Sequence, residues 1–285
     1  MSSHAAKATI ERPAWKASLG RAQAFFRMQW QVQRSYPLRF LTEIVSAGGT
    51  FAATYFLSQI VKPDDVAGLE TYQGNYLGFA IVGYVLSTFL GVAITKMGQW
   101  IRQAQFTGIL EPIVVSNIKL WEVTFYCSLH PLLMSFLRIL FYLFIASLIT
   151  GLRLDPAAFG VLLLVMVATV ISFAAFGLLN AATVIAFRRN NPAVSVLISA
   201  SLLLSGVFYP VEILPEWLQF LSNLLPLTYA LEASRSLLLG SGPFAAVLPP
   251  MMGMVLFGAI TIPITLGLFR YAVKRARRDG VLGYY

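Results

Sequence analysis

The chain has 285 residues, of which 58% are hydrophobic and 12% charged, whereas a soluble domain carries about 25% charged residues. This composition excludes a water-soluble globule and indicates an integral membrane protein. The net charge is +9, but so apolar a chain has too little exposed surface for the basic faces that bind nucleic acid. One cysteine, Cys127, and two histidines, His4 and His130, exclude internal disulfides and multi-cysteine metal sites, and we expect no metal site.

Residues 14–35 predict an amphipathic helix. Its apolar side chains recur every three or four positions, which places them on one helical face. They are Trp15, Leu19, Ala22, Phe26 and Trp30. We expect this helix to lie on the cytoplasmic leaflet of a membrane, and a helix packed on another subunit is the alternative. Pro37 should end it and turn the chain into the membrane.

Long apolar stretches then predict six transmembrane helices, because a hydrocarbon core of about 30 Å needs roughly 20 apolar residues. We place them at 38–61, 75–95, 121–150, 158–186, 193–209 and 244–269. Lys and Arg gather at one side of these spans and the acids at the other, so both termini are predicted to be cytoplasmic. The chain divides into a cytoplasmic N-terminal segment, a membrane domain and a basic cytoplasmic tail, at 1–37, 38–269 and 270–285.

Two connections are more than simple loops. The inner connection 96–120 is long and mixes polar with apolar residues, which is typical of a functional loop. It offers a soluble partner a short apolar face, or else it is an interfacial re-entry of the third span; that face would comprise Ile109, Leu110, Ile113 and Val114. The outer stretch 205–243 is apolar but is broken by Pro210, Pro215 and Pro226. It predicts two short helices that dip into the outer leaflet, since no straight spanning helix fits it.

The whole pattern resembles the permease subunits of type-2 ATP-binding-cassette (ABC-2) exporters. One shared feature is an all-α membrane fold of six spans, with an N-terminal interfacial helix and short re-entrant external helices before the last span. A second is similar to the family's G-T-L-E-like element, and here it reads Thr107-Gly108-Ile109-Leu110-Glu111. The most specific feature is the run from Ser205 to Gly240, which contains SGVFYP and LPEWLQFLSNLLPLTYALEASRSLLLG.

The resemblance implies roles for particular residues. The inner loop would dock on a separate ATPase subunit, and the candidate contacts are Thr107, Gly108, Ile109, Leu110, Glu111, Pro112 and Ile113. The outer helices would form an external gate over a pathway at a dimer interface, with Phe208, Tyr209, Pro210, Glu232 and Arg235 as its candidate residues. Glu43 and Arg138 are possible pathway residues. The alternative for Arg138 is a structural ion pair or a snorkelling side chain, since an unpaired charge within a span is costly.

These observations predict the permease subunit of an ATP-driven exporter of a drug, lipid or glycolipid, working by alternating access in the prokaryotic inner membrane. The sequence has no G-x-x-x-x-G-K-[ST] motif, so we expect no ATPase site, catalytic residue or cofactor in the chain itself. ATP and Mg would be bound by the partner ATPase. The other expected partners are a second permease copy or homologue and membrane lipids. A gradient-driven secondary transporter and a polysaccharide-exporting permease are the alternatives.

Overall fold

The computed structural model describes residues 14–34, 37–60, 76–116, 118–150, 156–187, 192–239 and 244–279. Every regular element in these ranges is helical, as expected of an all-α membrane protein. The helices are α1 (Ala14–Arg34), α2 (Pro37–Ile60), α3 (Tyr76–Phe106), α4 (Leu110–Val115), α5 (Leu120–Thr150), α6 (Pro156–Phe187), α7 (Pro192–Leu204), α8 (Glu216–Ser222), α9 (Pro226–Leu238) and α10 (Leu248–Arg278). Short 3-10 turns lie at Val211–Ile213 and Phe244–Val247.

Four stretches are long and apolar enough to cross a membrane, and they coincide with the second, third, fourth and sixth predicted spans. They are Tyr76–Phe106, Leu120–Ile145, Gly160–Phe187 and Ala245–Arg278. The helix α2 has 24 residues but is not among these four stretches, so the first span stays a prediction. The helix α7 has 13 residues, or about 20 Å at 1.5 Å per residue. It ends at Leu204 rather than at residue 209, because a turn follows at Ser205 and Gly206.

The second and sixth predicted spans also end earlier than the helices that contain them. Much of the connection 96–120 is helix, because α3 continues to Phe106, and α10 continues through the tail to Arg278. Hydropathy marks where apolar side chains stop, whereas a helix continues for as long as its backbone bonds can form. Two of the candidate spans therefore extend as helices beyond their apolar part.

The helix α3 lies at the centre of the main core, where it packs against α5 and α6, and α6 packs in turn against α10. Lipid tails are as apolar as the side chains, so close approach and interhelical hydrogen bonds carry much of this packing. The buried Asn180 of α6 donates from Nδ2 to the Ile94 carbonyl of α3 at 3.0 Å. A Cβ atom on Gly98 would lie 2.6 Å from that same nitrogen. Gly98 therefore makes room for the bond.

The helix α1 packs against α5 through aromatic side chains. The ring centroids of Phe26 and His130 are 5.0 Å apart, those of Trp30 and His130 are 6.0 Å apart, and those of Phe25 and Tyr126 are 6.5 Å apart. Part of the apolar face expected to meet lipid thus covers another helix of the same chain. The position of α1 on the cytoplasmic leaflet remains a prediction.

Candidate functional site

The first candidate site lies where α3 ends. The Thr107 hydroxyl donates to the Gln103 carbonyl at 2.9 Å and so occupies one of the last carbonyls of the helix. Gly108 has φ +70°, a left-handed conformation that costs little only for glycine. The Thr-Gly pair is therefore a helix stop, and it redirects the chain into α4.

One face of α4 is buried in the core of the chain. Leu110 is fully buried and Val114 is 5% exposed, and both belong to a cluster with Met97 and Ile101 of α3. Their i, i+4 spacing places them on one side of the helix. The sequence suggested that Leu110 and Val114 face a soluble partner, but the structure turns both side chains inward.

The other face of α4 is exposed and mostly apolar. Ile109 is 53% exposed and Val115 is 87% exposed, and Glu111 and Pro112 are exposed between them. Phe106, at the end of α3, extends this surface and is half exposed. We call these five residues the α4 surface. The sequence did not single out Phe106 or Val115, because their exposure depends on which face of α4 the core takes.

The far end of α4 is fixed to α10. Arg277 donates from Nη2 to the Val114 carbonyl at 2.9 Å, and such a bond from a charged donor is stronger than a neutral one. The tail and the inner loop were treated as separate segments in the sequence, yet they meet here. A displacement of α4 would act on both α3 and α10.

The second candidate site begins at the turn after α7. Gly206 has φ +70°, and a Cβ atom there would lie 2.8 Å from the Tyr209 carbonyl oxygen. Only glycine fits this turn without strain. The Tyr209 hydroxyl donates to the Leu203 carbonyl, and Tyr76 of α3 donates to the Phe208 carbonyl at 3.4 Å. The SGVFYP stretch is thus a tight turn that is held to α7 and α3.

Arg235 of α9 binds this turn from inside. It is 4% exposed, and its guanidinium donates to the carbonyls of Gly206 at 2.9 Å, Val207 at 2.7 Å and Phe79 at 3.2 Å. It also lies over the Phe79 ring, 3.4 Å from the centroid. Planar Arg suits this combination of forked donors and ring stacking. One side chain therefore joins α9, α3 and the turn.

A cavity of about 270 Å³ opens beside Arg235, and Glu212, Glu232, Gln219 and Asn223 are among the residues that line it. Glu232 is exposed as a whole residue, but its carboxyl group is partly desolvated beside the cavity. Burial raises the pKa of Glu232, and the Glu212 carboxylate raises it further. We call the turn 205–210 together with α9 the outer turn site.

The remaining predicted residues are two members of the outer turn site, Phe208 and Pro210, and the possible pathway residues Glu43 and Arg138. Phe208 is exposed and Pro210 is buried, and Arg138 is partly buried within α5. The side chain of Glu43 lies outside the described residues, so a link between Glu43 and Arg138 stays a prediction. Within the described ranges, no three His, Cys, Asp or Glu side chains come together as a metal site.

Residues 22–239, most of the chain, match the ABC-2 type transporter family. The chain therefore belongs to the ABC-2 type transporter family and is a permease of that family. The match and the apolar helices together indicate a multi-pass membrane protein. No curated protein matches the chain.

Proposed function

We propose that the chain is the transmembrane subunit of an ATP-driven exporter and that its α4 surface docks on a separate ATPase subunit. The observation that carries this proposal is the division of α4 into two faces. Leu110 and Val114 fix the helix to the bundle, while Ile109 and Val115 present apolar area outward. Permeases of this family generally work with an ATPase subunit. An exposed apolar surface of this kind is typical of a protein contact.

The helix α3 supplies a path from this surface to the outer turn site. At one end it leads through Thr107 and Gly108 into α4, and near the other end Phe79 accepts a hydrogen bond from Arg235. The helix has 31 residues, or about 46 Å at 1.5 Å per residue. A push on α4 when the ATPase closes would tilt α3 and displace the outer turn site. That displacement is the proposed opening of the external gate.

The proposed cargo is a hydrophobic or amphipathic molecule such as a drug, lipid or glycolipid, moved outward by alternating access. A second copy or a homologue would complete the pathway, in the prokaryotic inner membrane with both termini cytoplasmic. ATP and Mg would be bound by the ATPase partner. The resemblance of the run from Ser205 to Gly240 to other ABC-2 permeases supports this proposal.

A co-purification from native membranes tests the docking proposal. Val115→Glu adds a charge to the most exposed large apolar residue of the α4 surface, whereas Gln99→Ala changes an exposed residue of α3 outside that surface. We expect the unmodified chain and Gln99→Ala to retain an ATPase subunit and its activity, and Val115→Glu to lose most of both. Equal retention in the three proteins would place the docking surface elsewhere. ATP-independent transport driven by a proton or sodium gradient would favour a secondary transporter.

A further inference from the structure

A cavity of about 490 Å³ lies between the segment that enters α5 and the last turns of α10. Its volume is within the range of small-molecule sites, about 300–1,000 Å³. Every ionisable side chain that lines it is basic: Lys119, Arg270, Lys274 and Arg277. Neither the docking surface nor the outer turn site includes it. The charges indicate an anionic occupant.

Three of these basic residues lie close together on one face of α10. Arg270 and Lys274 are four residues apart, and Arg277 follows three residues later, so the three share one face of α10. Like charges at this spacing repel each other by a few tenths of a kcal/mol per pair. Arg277 donates to one backbone carbonyl, that of Val114. The Nζ atom of Lys119 is 3.7 Å from Oε1 of Glu122. Within the part of the chain that the structure describes, these contacts leave most of the positive charge of the cavity uncompensated.

The rest of the lining suits a molecule with an apolar part. Phe269 and Val273 form part of the wall, and the Trp121 ring lines the cavity beside them. The Nε1 atom of Trp121 is buried and has no hydrogen-bond partner within the described ranges. An indole N–H can only donate, and a buried donor without an acceptor costs about 1–3 kcal/mol.

The position of the cavity along α10 matches the level of a lipid headgroup. Along α10 the helix axis runs about 33 Å from Leu248 to Arg270 at 1.5 Å per residue. A hydrocarbon core is about 30 Å thick, so a core that begins at Leu248 would end near Arg270 and place Arg270 and Lys274 at the level of the phosphates of the other leaflet. Basic pockets between helices at this level bind anionic headgroups.

We propose that this cavity binds the phosphate headgroup of an anionic phospholipid. The phosphate lies among Arg270, Lys274 and Arg277, and the glycerol lies beside them in the cavity. A bound lipid joins the segment after α4 to the end of α10, beside the Arg277 bond to the Val114 carbonyl. The position of α4 then depends on the lipid composition of that leaflet. The proposal requires the membrane topology but no ATPase partner.

The test measures thermal unfolding of the purified full-length chain in detergent, with added phosphatidylglycerol, phosphatidylcholine or inorganic phosphate. The double variant Arg270→Gln/Lys274→Gln removes two charges from the cavity. The matched control, Arg275→Gln/Arg278→Gln, removes two charges from the same turns of α10 but outside the lining. We expect phosphatidylglycerol to raise the unfolding temperature of the unmodified chain and the control alike. The cavity variant should need at least ten-fold more of this lipid for the same rise.

Two results would overturn this proposal. An equal phosphatidylglycerol dependence in both double variants would show non-specific charge attraction, and an equal rise with inorganic phosphate alone would show a site for a soluble phosphate compound. Because no ATPase is present in these measurements, their failure leaves the docking proposal standing. Loss of ATPase binding in Val115→Glu tests that proposal separately.

Discussion

Replacement of Arg235 by lysine is the sharpest test of the outer turn site. Lysine keeps the positive charge but loses the planar fork that reaches three carbonyls at once. It also loses the stack over Phe79, whose centroid lies 3.4 Å from the guanidinium carbon. Any effect of Arg235→Lys therefore reports on geometry rather than on charge.

The expected cost follows from the contacts of Arg235. A hydrogen bond to a charged group contributes about 1.5–3 kcal/mol, and a desolvated cation–π contact contributes about 2 kcal/mol. Lysine can keep one or two of the three carbonyl bonds in the 4%-exposed site. We expect Arg235→Lys to lower the free energy of unfolding by about 2–4 kcal/mol. Arg235→Met leaves all three carbonyls without this donor, at about 1–3 kcal/mol for each unsatisfied acceptor, and should cost more than Arg235→Lys.

The assay is thermal unfolding of the purified chain in detergent, together with hydrogen exchange of the backbone amides in residues 205–209. We expect a fall in unfolding temperature on the order of 10 °C and faster exchange in that turn. Gln99→Ala, an exposed change on α3 outside the outer turn site, is the control and should leave the exchange unchanged. Exchange rates in Arg235→Lys equal to those of the unmodified chain would refute the assignment of Arg235 as the residue that holds the turn.

Three further substitutions test other parts of the account. Gly206→Ala should lower the free energy of unfolding by about 2–4 kcal/mol, because its φ is positive and the new methyl group meets the Tyr209 carbonyl. The control, Gly91→Ala, has open space around it and should have no such cost. Equal stability of the two variants would contradict the reasoning. Asn180→Ala should lower the free energy of unfolding by about 1 kcal/mol, because the hydrogen bond between α6 and α3 is lost. Unfolding in detergent measures this change, and an unchanged stability would show that the bond contributes nothing. The pKa of Glu232 is raised from 4.5, so the folded chain retains that proton over a pH range in which the unfolded chain has lost it, and stability falls as the pH rises through this range. Glu232→Gln should flatten that pH dependence in unfolding scans above pH 4.5, and a slope identical to that of the unmodified chain would exclude Glu232 as its source.

The sequence was most informative where one local property decides the structure. Apolar runs predicted the four helices that are long enough to span a membrane, and the prolines at 210, 215 and 226 predicted short helices in place of a straight span. The exit from α3 is also local, at Thr107 and Gly108, but the sequence analysis ended the second span at residue 95 and did not predict this helix stop. Such features depend on residues close together in the chain and need no tertiary information.

The sequence was less informative where distant segments meet. The Arg277 bond to the Val114 carbonyl and the Arg235 bonds to Phe79 and Gly206 join residues far apart in the chain. Which face of α4 is buried depends on α3, α6 and α10 together, so Leu110 was expected outside and is inside. The basic cavity was missed because it too forms between distant segments. In the sequence analysis its charges were attributed to the membrane orientation, and no ligand was inferred from them.

Site-specific photo-crosslinking tests the central claim most directly, because it asks what the α4 surface touches in native membranes. Val115→Cys provides an exposed attachment site for a photoreactive maleimide, while the natural Cys127 is buried. Phe208→Cys, in the outer turn site, is the matched control. We expect the label at residue 115 to capture an ATPase subunit and the label at residue 208 to capture none. Capture of an ATPase from residue 208 alone, or from neither position, would contradict the claim that α4 couples this permease to ATP hydrolysis.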